Sequence, residues 1–373
     1  MIEYEEDSFV LWNRMLFKLR NFRFALLLAL SASIACGLLH VILDRSEADE
    51  FETGMSLSLG VWGSFTSFVA FLLTFRTGHA YGRFMEGCDN LHSISSCWIQ
   101  VLGNVVAFCN YSTVESSKIR IFQQTLLRLA SLTNAMMYAD LEGPSDGDVH
   151  HAAFKYSLID PGGLGHRTFE ILKGEQNRAE LTLQWTKLLV VNEIKSGVLS
   201  IPPPILTRVF QELDQLFDAF AIAVKLADVP FPYPYAASME ILLIVHTLTT
   251  PLLVINWTQH VVTATISVFI LTFSLWVVHL IAPELENPFG HDTNDLDMQK
   301  MQEKLNLSLL TIVGPAAQML PQLVLDIDDA VVRSRETVRK GSHLKQNTFN
   351  DMVQPAKDNS EVDGKDDGGL VIE

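Results

Sequence analysis

The chain has 373 residues, is 48% hydrophobic with a mean hydropathy of +0.21, and carries a formal net charge of −16. That length accommodates two or more packed regions, and the hydropathy is high for a soluble protein and low for one made only of membrane spans. The acidic balance excludes nucleic acid as a partner, because phosphate backbones demand basic surfaces, and the four cysteines (Cys36, Cys88, Cys97 and Cys109) show neither a CxxC pair nor zinc spacing and fit a reducing compartment.

The chain opens on acidic residues, Glu3, Glu5, Glu6 and Asp7, unlike the basic start of a cleavable signal or the acid-poor composition of a transit peptide. Four stretches reach the roughly 20 apolar residues that a bilayer crossing needs, at about residues 24–43, 56–75, 236–255 and 261–281. The second carries no charge from Thr53 to Phe75, whereas the third contains Glu240 and His246. An acid inside a span faces the protein interior or a water-filled path. Arg14, Lys18, Arg20 and Arg23 precede the first span, Arg76 and Arg83 follow the second, and the segment between them, Asp44 to Glu52, has one arginine against five acids. The excess of basic residues places both termini on the cytosolic side, or the stromal side in a plastid. The sequence does not choose between a plasma membrane and a chloroplast or thylakoid membrane.

The long middle, residues 76–235, reads as helical. Ile119, Phe122, Leu126 and Leu129 share a face at three- and four-residue spacing. Pro144 with Gly147, and Pro161-Gly162-Gly163, mark turns. Pro202-Pro203-Pro204 opens a helix that is expected to run through Leu213 to about Ala227, since proline suits a first helical turn. Pro230, Pro232 and Pro234 stiffen the joint before the third span. After the fourth span comes a loop rich in oxygen donors, Glu284 to Asp295, turned by Pro288 and Gly290. Glu284, Asn287, Asp292 and Asp295 are candidate ligands for Ca²⁺, which takes six to eight oxygens at about 2.3–2.6 Å. Alternatively, Asn287 and Asp295 cap the helices on either side. The tail beyond about residue 341 turns polar and charged, with seven acids against two lysines from Asp351 to Glu373, and disorder is expected there.

Three segments together resemble the bestrophin family of anion channels, in its plant, algal and bacterial-type branch. The first is Phe75-Arg76 followed by Tyr81, Arg83-Phe84 and Glu86, the second Pro230-Phe231-Pro232-Tyr233-Pro234-Tyr235, the third Glu286-Asn287-Pro288-Phe289-Gly290 with Asn294-Asp295-Leu296. Their order and their attachment to four spans match the family over about residues 10–320. The resemblance implies an all-α membrane protein, four transmembrane helices plus a helical cytosolic region, assembled as a homopentamer around one axial pore. It further implies that the second span lines an apolar neck, at positions that fall on Ser67, Phe71 and Phe75, and that a cytosolic aperture falls on Leu213.

The neck also has a reading in the residues themselves. Ser67, Phe71 and Phe75 recur every four residues and so share one helical face, a spacing that ordinary packing phenylalanines show as well. Bestrophins usually carry a bulky apolar residue where this chain has Ser67, so a wider and wetter outer neck is expected. In calcium-regulated members the loop after the fourth span clasps Ca²⁺, but here His291, Thr293 and Asn294 interrupt the acids. No P-loop, nucleophile elbow, HExxH or dinucleotide fingerprint appears, so no enzyme is expected. The domains read as 1–75 (N-terminal segment and two spans), 76–235 (helical cytosolic region), 236–282 (third and fourth spans), 283–340 (acidic loop and C-terminal helices) and 341–373 (tail). The function expected is passive conduction of chloride, bicarbonate or other monovalent anions across a lipid bilayer. A non-conducting membrane scaffold, or a proton-coupled transporter using Glu240 and His246, is the alternative.

Overall fold

The computed structural model describes residues 20–42, 59–143, 155–290 and 295–340, and all regular structure among them is helical. In chain order come α1 (Arg20–Ile42), α2 (Leu59–Cys109), α3 (Ser116–Glu142), a short 3-10 turn (Pro161–Leu164), α4 (His166–Gly174), α5 (Arg178–Ser196), α6 (Pro203–Asp228), α7 (Tyr233–Trp257), α8 (Val261–Glu286) and α9 (Met298–Val313). The described residues up to Gln318 form one compact unit; those from Met319 on form a second, which contains α10 (Ile327–Lys340). The helices α1, α2, α7 and α8 are long and apolar enough to cross a membrane, matching the four expected spans.

The second span does not stop at Phe75. It is the first third of α2, a single helix of 51 residues, about 76 Å long at 1.5 Å per residue. No proline occurs between Leu59 and Cys109, and a proline is what would sharply break such a helix. The domain boundary drawn at residues 75/76 therefore falls inside one continuous element. The helix α6 begins at Pro203 after Pro202, where the missing N–H costs nothing. The helix α9 starts three residues later than Asp295; its cap is Asp297, whose carboxylate accepts the Lys300 N–H at 3.0 Å.

Small residues let α1 and α8 approach closely. Ala25, Ala29, Ala32 and Cys36 are all buried on α1, and the Ser33 hydroxyl donates to the Thr265 carbonyl across the contact at 2.8 Å. Val69 and Leu73 of α2 pack with Met239 and Leu243 of α7 and Trp276 of α8. The outer faces of α1, α7 and α8 expose aliphatic side chains, Leu27, Ile34, Leu248 and Ile266 among them. The second and larger core joins the far half of α2, from Leu91 to Cys109, to α3, α5, α6 and α9 around Trp98, Phe122 and Tyr138. A buried amide network fixes the register of α9 on α3. Asn134 donates to Gln302 at 2.6 Å, Gln302 to the Ser131 carbonyl at 3.0 Å, and Ser131 to Asn306 at 2.8 Å. Each buried polar group there that goes unpaired would cost about 1–3 kcal/mol, so the network admits few alternative alignments.

Candidate pore-lining site

The buried residues of α2 within its apolar part are Trp62, Val69, Leu73 and Arg76, and the opposite face is open. Ser67, Phe71 and Phe75 all lie on that open face, with Phe71 65% and Phe75 48% exposed. They span about 12 Å along the helix axis. This face mixes the phenylalanines with Gly60, Gly63, Ser64, Ser67 and Thr74. The hydroxyls of Ser64 and Thr74 donate back to the Gly60 and Ala70 carbonyls, both at 2.9 Å. Ser67 makes no such bond among the described residues, so its hydroxyl is available to whatever lies in front of it.

The back of α2 is pinned at three levels. At the first, His246 of α7 is fully buried, stacks on Trp62 with ring centroids 4.8 Å apart, and lies 3.0 Å from the Thr66 hydroxyl and 3.2 Å from that of Thr250. At the second, Arg76 is buried, 3.8 Å from Glu286 and 5.8 Å from the Phe231 ring centroid, a cation with both an anionic and an aromatic neighbour. At the third, Arg83 donates to the Leu226 carbonyl at 2.7 Å and to the Glu286 carbonyl at 3.2 Å. Those carbonyls close α6 and α8, where the helix dipole favours a cation. Phe71 and Phe75 are thus held in front of a braced backbone.

Pro288-Phe289-Gly290 is a latch on the same helix. Phe289 is fully buried and joins the larger core. It reaches there because Gly87 of α2 has no side chain: a Cβ at that position would sit 2.6 Å from Pro288 Cγ and 3.1 Å from Phe289 Cζ. Neither a proline ring nor a buried phenylalanine can yield at small cost. Gly87→Val is therefore expected to destabilise the fold by about 1–3 kcal/mol through overpacking, read as a lower midpoint in thermal melting, while Gly82→Ala, which meets open space, leaves the midpoint nearly unchanged.

Two oxygen donors of this loop accept hydrogen bonds within the fold. Glu284 accepts from the Asn21 amide at 2.7 Å, and the Asn287 side-chain oxygen accepts the Phe289 N–H at 3.2 Å. Asp295 is buried beside Gly290, whose Cβ, if present, would lie 2.8 Å from Asp295 Oδ2, and the Leu296 N–H closes the turn on the Pro288 carbonyl at 2.9 Å. Asp292 lies outside the described residues. Among the described residues no three His, Cys, Asp or Glu side chains gather as a metal-ion site. The described part of the loop is a turn closed by its own hydrogen bonds.

A family model described as bacterial/fungal bestrophin protein matches residues 10–311. The chain belongs to the bestrophin family. Its fold is similar to the crystal structure of a bacterial bestrophin homologue from Klebsiella pneumoniae, with TM-score 0.65 and 15% identity, covering 78% of this chain and 98% of that one. A voltage-dependent anion channel-forming protein of Synechocystis sp. is 30% identical over 108 residues, covering 29% of this chain and 34% of the relative. A protein of the same description from Nostoc sp. is 28% identical over 116 residues, covering 30% of this chain and 36% of the relative. The matches therefore span about a third of the length of these two curated relatives.

One expected position of this bestrophin is corrected by its own packing. Leu213 is fully buried in the larger core, on the face of α6 that also buries Leu206, Val209, Leu216 and Phe220. A residue that lines an axial aperture shared between copies must be open in the single subunit, so Leu213 is a packing residue. The exposed large apolar side chains of α6 are Ile205, Phe217 and Ile222. His79 is exposed one turn beyond Phe75, and the two rings meet edge to face with centroids 4.4 Å apart. Continuing the four-residue spacing of Ser67, Phe71 and Phe75 by one more step reaches it.

Proposed function

We propose that this chain is the subunit of a homopentameric anion channel in which the open face of α2 lines the neck. The observation that carries this reading is the exposed run of Ser67, Phe71 and Phe75 on α2, set among Gly60, Gly63, Ser64 and Thr74, with the Ser67 hydroxyl unpartnered among the described residues. A lipid-facing helix has no use for a hydroxyl without an internal partner. The printed names of the Synechocystis and Nostoc relatives support the same class. Aromatic rings crossing a pore turn their positive edges inward. Anions that shed water at low cost (iodide, nitrate, thiocyanate) accordingly pass at least as well as chloride, and bicarbonate is a further candidate. Both termini lie on the cytosolic or stromal side, since Arg76 and Arg83 follow the second span.

The test is anion flux from liposomes containing purified protein, with subunit number counted by cross-linking. Pentamers that release chloride and iodide are expected. Monomers, or pentamers that release neither anion, would favour a scaffold. Proton coupling through His246 is disfavoured by its full burial between Trp62, Thr66 and Thr250. In this reading the loop after α8 is a structural latch, and stepping Ca²⁺ from nanomolar to micromolar leaves flux unchanged. A steep rise with Ca²⁺ would instead assign a cation site to this loop together with Asp292.

A further inference from the structure

We infer that His246 is a positioning residue that sets the rotational phase of α2, and with it the anion selectivity of the neck. The inference rests on the channel reading and names a determinant of its specificity. His246 lies on α7, inside an apolar span, and is fully buried. An imidazole in such a place is costly unless its nitrogens are hydrogen-bonded. Both of them are. Nε2 lies 3.0 Å from the Thr66 hydroxyl of α2, and Nδ1 lies 3.2 Å from the Thr250 hydroxyl. The ring also stacks on two aromatic side chains of α2, Trp62 at 4.8 Å and 21° and Phe65 at 6.1 Å and 27°.

The directions of these bonds follow from the partners. The Thr250 hydroxyl donates to the His246 carbonyl at 2.5 Å, because a carbonyl can only accept. Its one proton is committed there, so it accepts from the Nδ1–H. Nε2 is then the bare nitrogen, and the Thr66 hydroxyl donates to it. The hydroxyls of Ser64 and Thr74 turn back onto carbonyls of their own helix, whereas that of Thr66 reaches across to α7. The ring that receives it is itself anchored. Thr247 accepts the Trp276 indole N–H of α8 and donates to the Leu243 carbonyl, both at 2.8 Å. Pro251 lies inside α7 and withholds the N–H that would meet the Thr247 carbonyl. Side-chain bonds therefore secure a stretch whose own ladder is incomplete.

Thr66 is placed to control what stands on the open face. At 3.6 residues per turn, Phe71 and Phe75 lie about 140° and about 180° around the axis from it, and Ser67 about 100°. A bond at the back of a helix thus fixes the azimuth of the residues at its front. Side-chain tips stand about 5–6 Å from a helix axis, so a turn of about 20° would carry a phenyl ring sideways by about 2 Å. The apolar contacts behind α2, Val69 and Leu73 with Met239 and Leu243, are non-directional. A hydrogen bond accepts a narrow range of alignments. The other pins, Arg76 and Arg83, stand about 15 Å and about 26 Å further along the axis than Thr66, which leaves His246 as the pin at the level of Ser67.

The experiment is the iodide-over-chloride permeability ratio, taken from reversal potentials in planar bilayers, for wild type, Thr66→Val, His246→Phe, the double variant and His246→Gln. Valine drops the hydroxyl of Thr66 at nearly constant volume. Phenylalanine keeps a ring against Trp62 and loses both nitrogens, and the glutamine amide restores one acceptor and one donor. Thr66→Val and His246→Phe are each expected to lower the ratio about fivefold, the factor that one hydrogen bond typically contributes. The double variant should fall no further than either single one, because both remove the same bond. His246→Gln should stay within about twofold of the wild type, a change smaller than the loss of one hydrogen bond. A lower melting midpoint with an unchanged ratio would make His246 an ordinary packing residue and overturn the inference. Multiplying losses in the double variant, or a His246→Gln ratio as low as that of His246→Phe, would overturn it too, in each case with the channel reading intact. Should His246→Phe fail to fold, the ratio in Thr66→Val decides. Absence of any wild-type conductance overturns both readings.

Discussion

Liposomes carrying Phe71→Ala/Phe75→Ala are expected to release chloride about tenfold faster than those carrying the wild type, equivalent to roughly 1.4 kcal/mol off the barrier to crossing the neck. Each phenylalanine presents about 150–250 Å² of apolar surface, and an apolar constriction opposes wetting as well as passage. Both rings are exposed in the single subunit, so their loss removes little from its core and the melting midpoint should barely move. Selectivity should change along with rate. Once the rings are gone, a strongly hydrated anion crosses with its water, and the preference for iodide over chloride flattens. Filling the third position, Ser67→Leu, should act in the opposite sense and slow release. Unchanged flux and unchanged selectivity in the double variant would mean that these side chains meet lipid or another subunit instead of ions.

Phe289→Ala is the second large effect expected, and it acts on the fold. The side chain is fully buried between Gly87 and the core that α2 shares with α3, α5, α6 and α9. Truncating a buried phenylalanine costs about 3–5 kcal/mol, from lost transfer energy and the cavity left behind. Because marginal proteins have only about 5–15 kcal/mol in total, much of the variant is expected to be lost to misfolding, seen as a reduced yield of monodisperse protein and a markedly lower melting midpoint. Phe289→Leu, which keeps most of the volume, should recover much of it. Added Ca²⁺ should not restore the alanine variant, since the latch closes through Phe289, the Asn287 side chain and the Leu296 N–H. Restoration by Ca²⁺ would contradict a purely structural latch.

The four spans were legible because length and apolarity are one-dimensional properties, and α1, α2, α7 and α8 satisfy them directly. The shared exposed side of Ser67, Phe71 and Phe75 was legible because a four-residue spacing survives in any straight helix. The continuity of α2 was not: the charges at Arg76 and Arg83 mark where the membrane ends, and they say nothing about whether the helix does. The pattern Leu206, Val209, Leu213, Leu216, Phe220 was already in the sequence, and its three- and four-residue steps put Leu213 on the core face. For the oxygen-rich loop, composition shows which donors are present, while only packing shows that Asn21 and the Phe289 N–H take up two of them. Gly87 is legible only in three dimensions, since its importance lies in what Pro288 and Phe289 do some two hundred residues later.

The unbroken length of α2 carries a mechanical corollary. A rod with no flexible joint transmits leverage, and roughly 50 Å of it extends beyond Arg76. A tilt of about 5° pivoting near the pinned level of Arg76 and Arg83 would swing the distal end by about 4 Å over that length, and would displace Phe71 in the opposite sense by a fraction of that. In the proposed channel, a force applied at the far extremity would be geared down into a finer displacement of the neck.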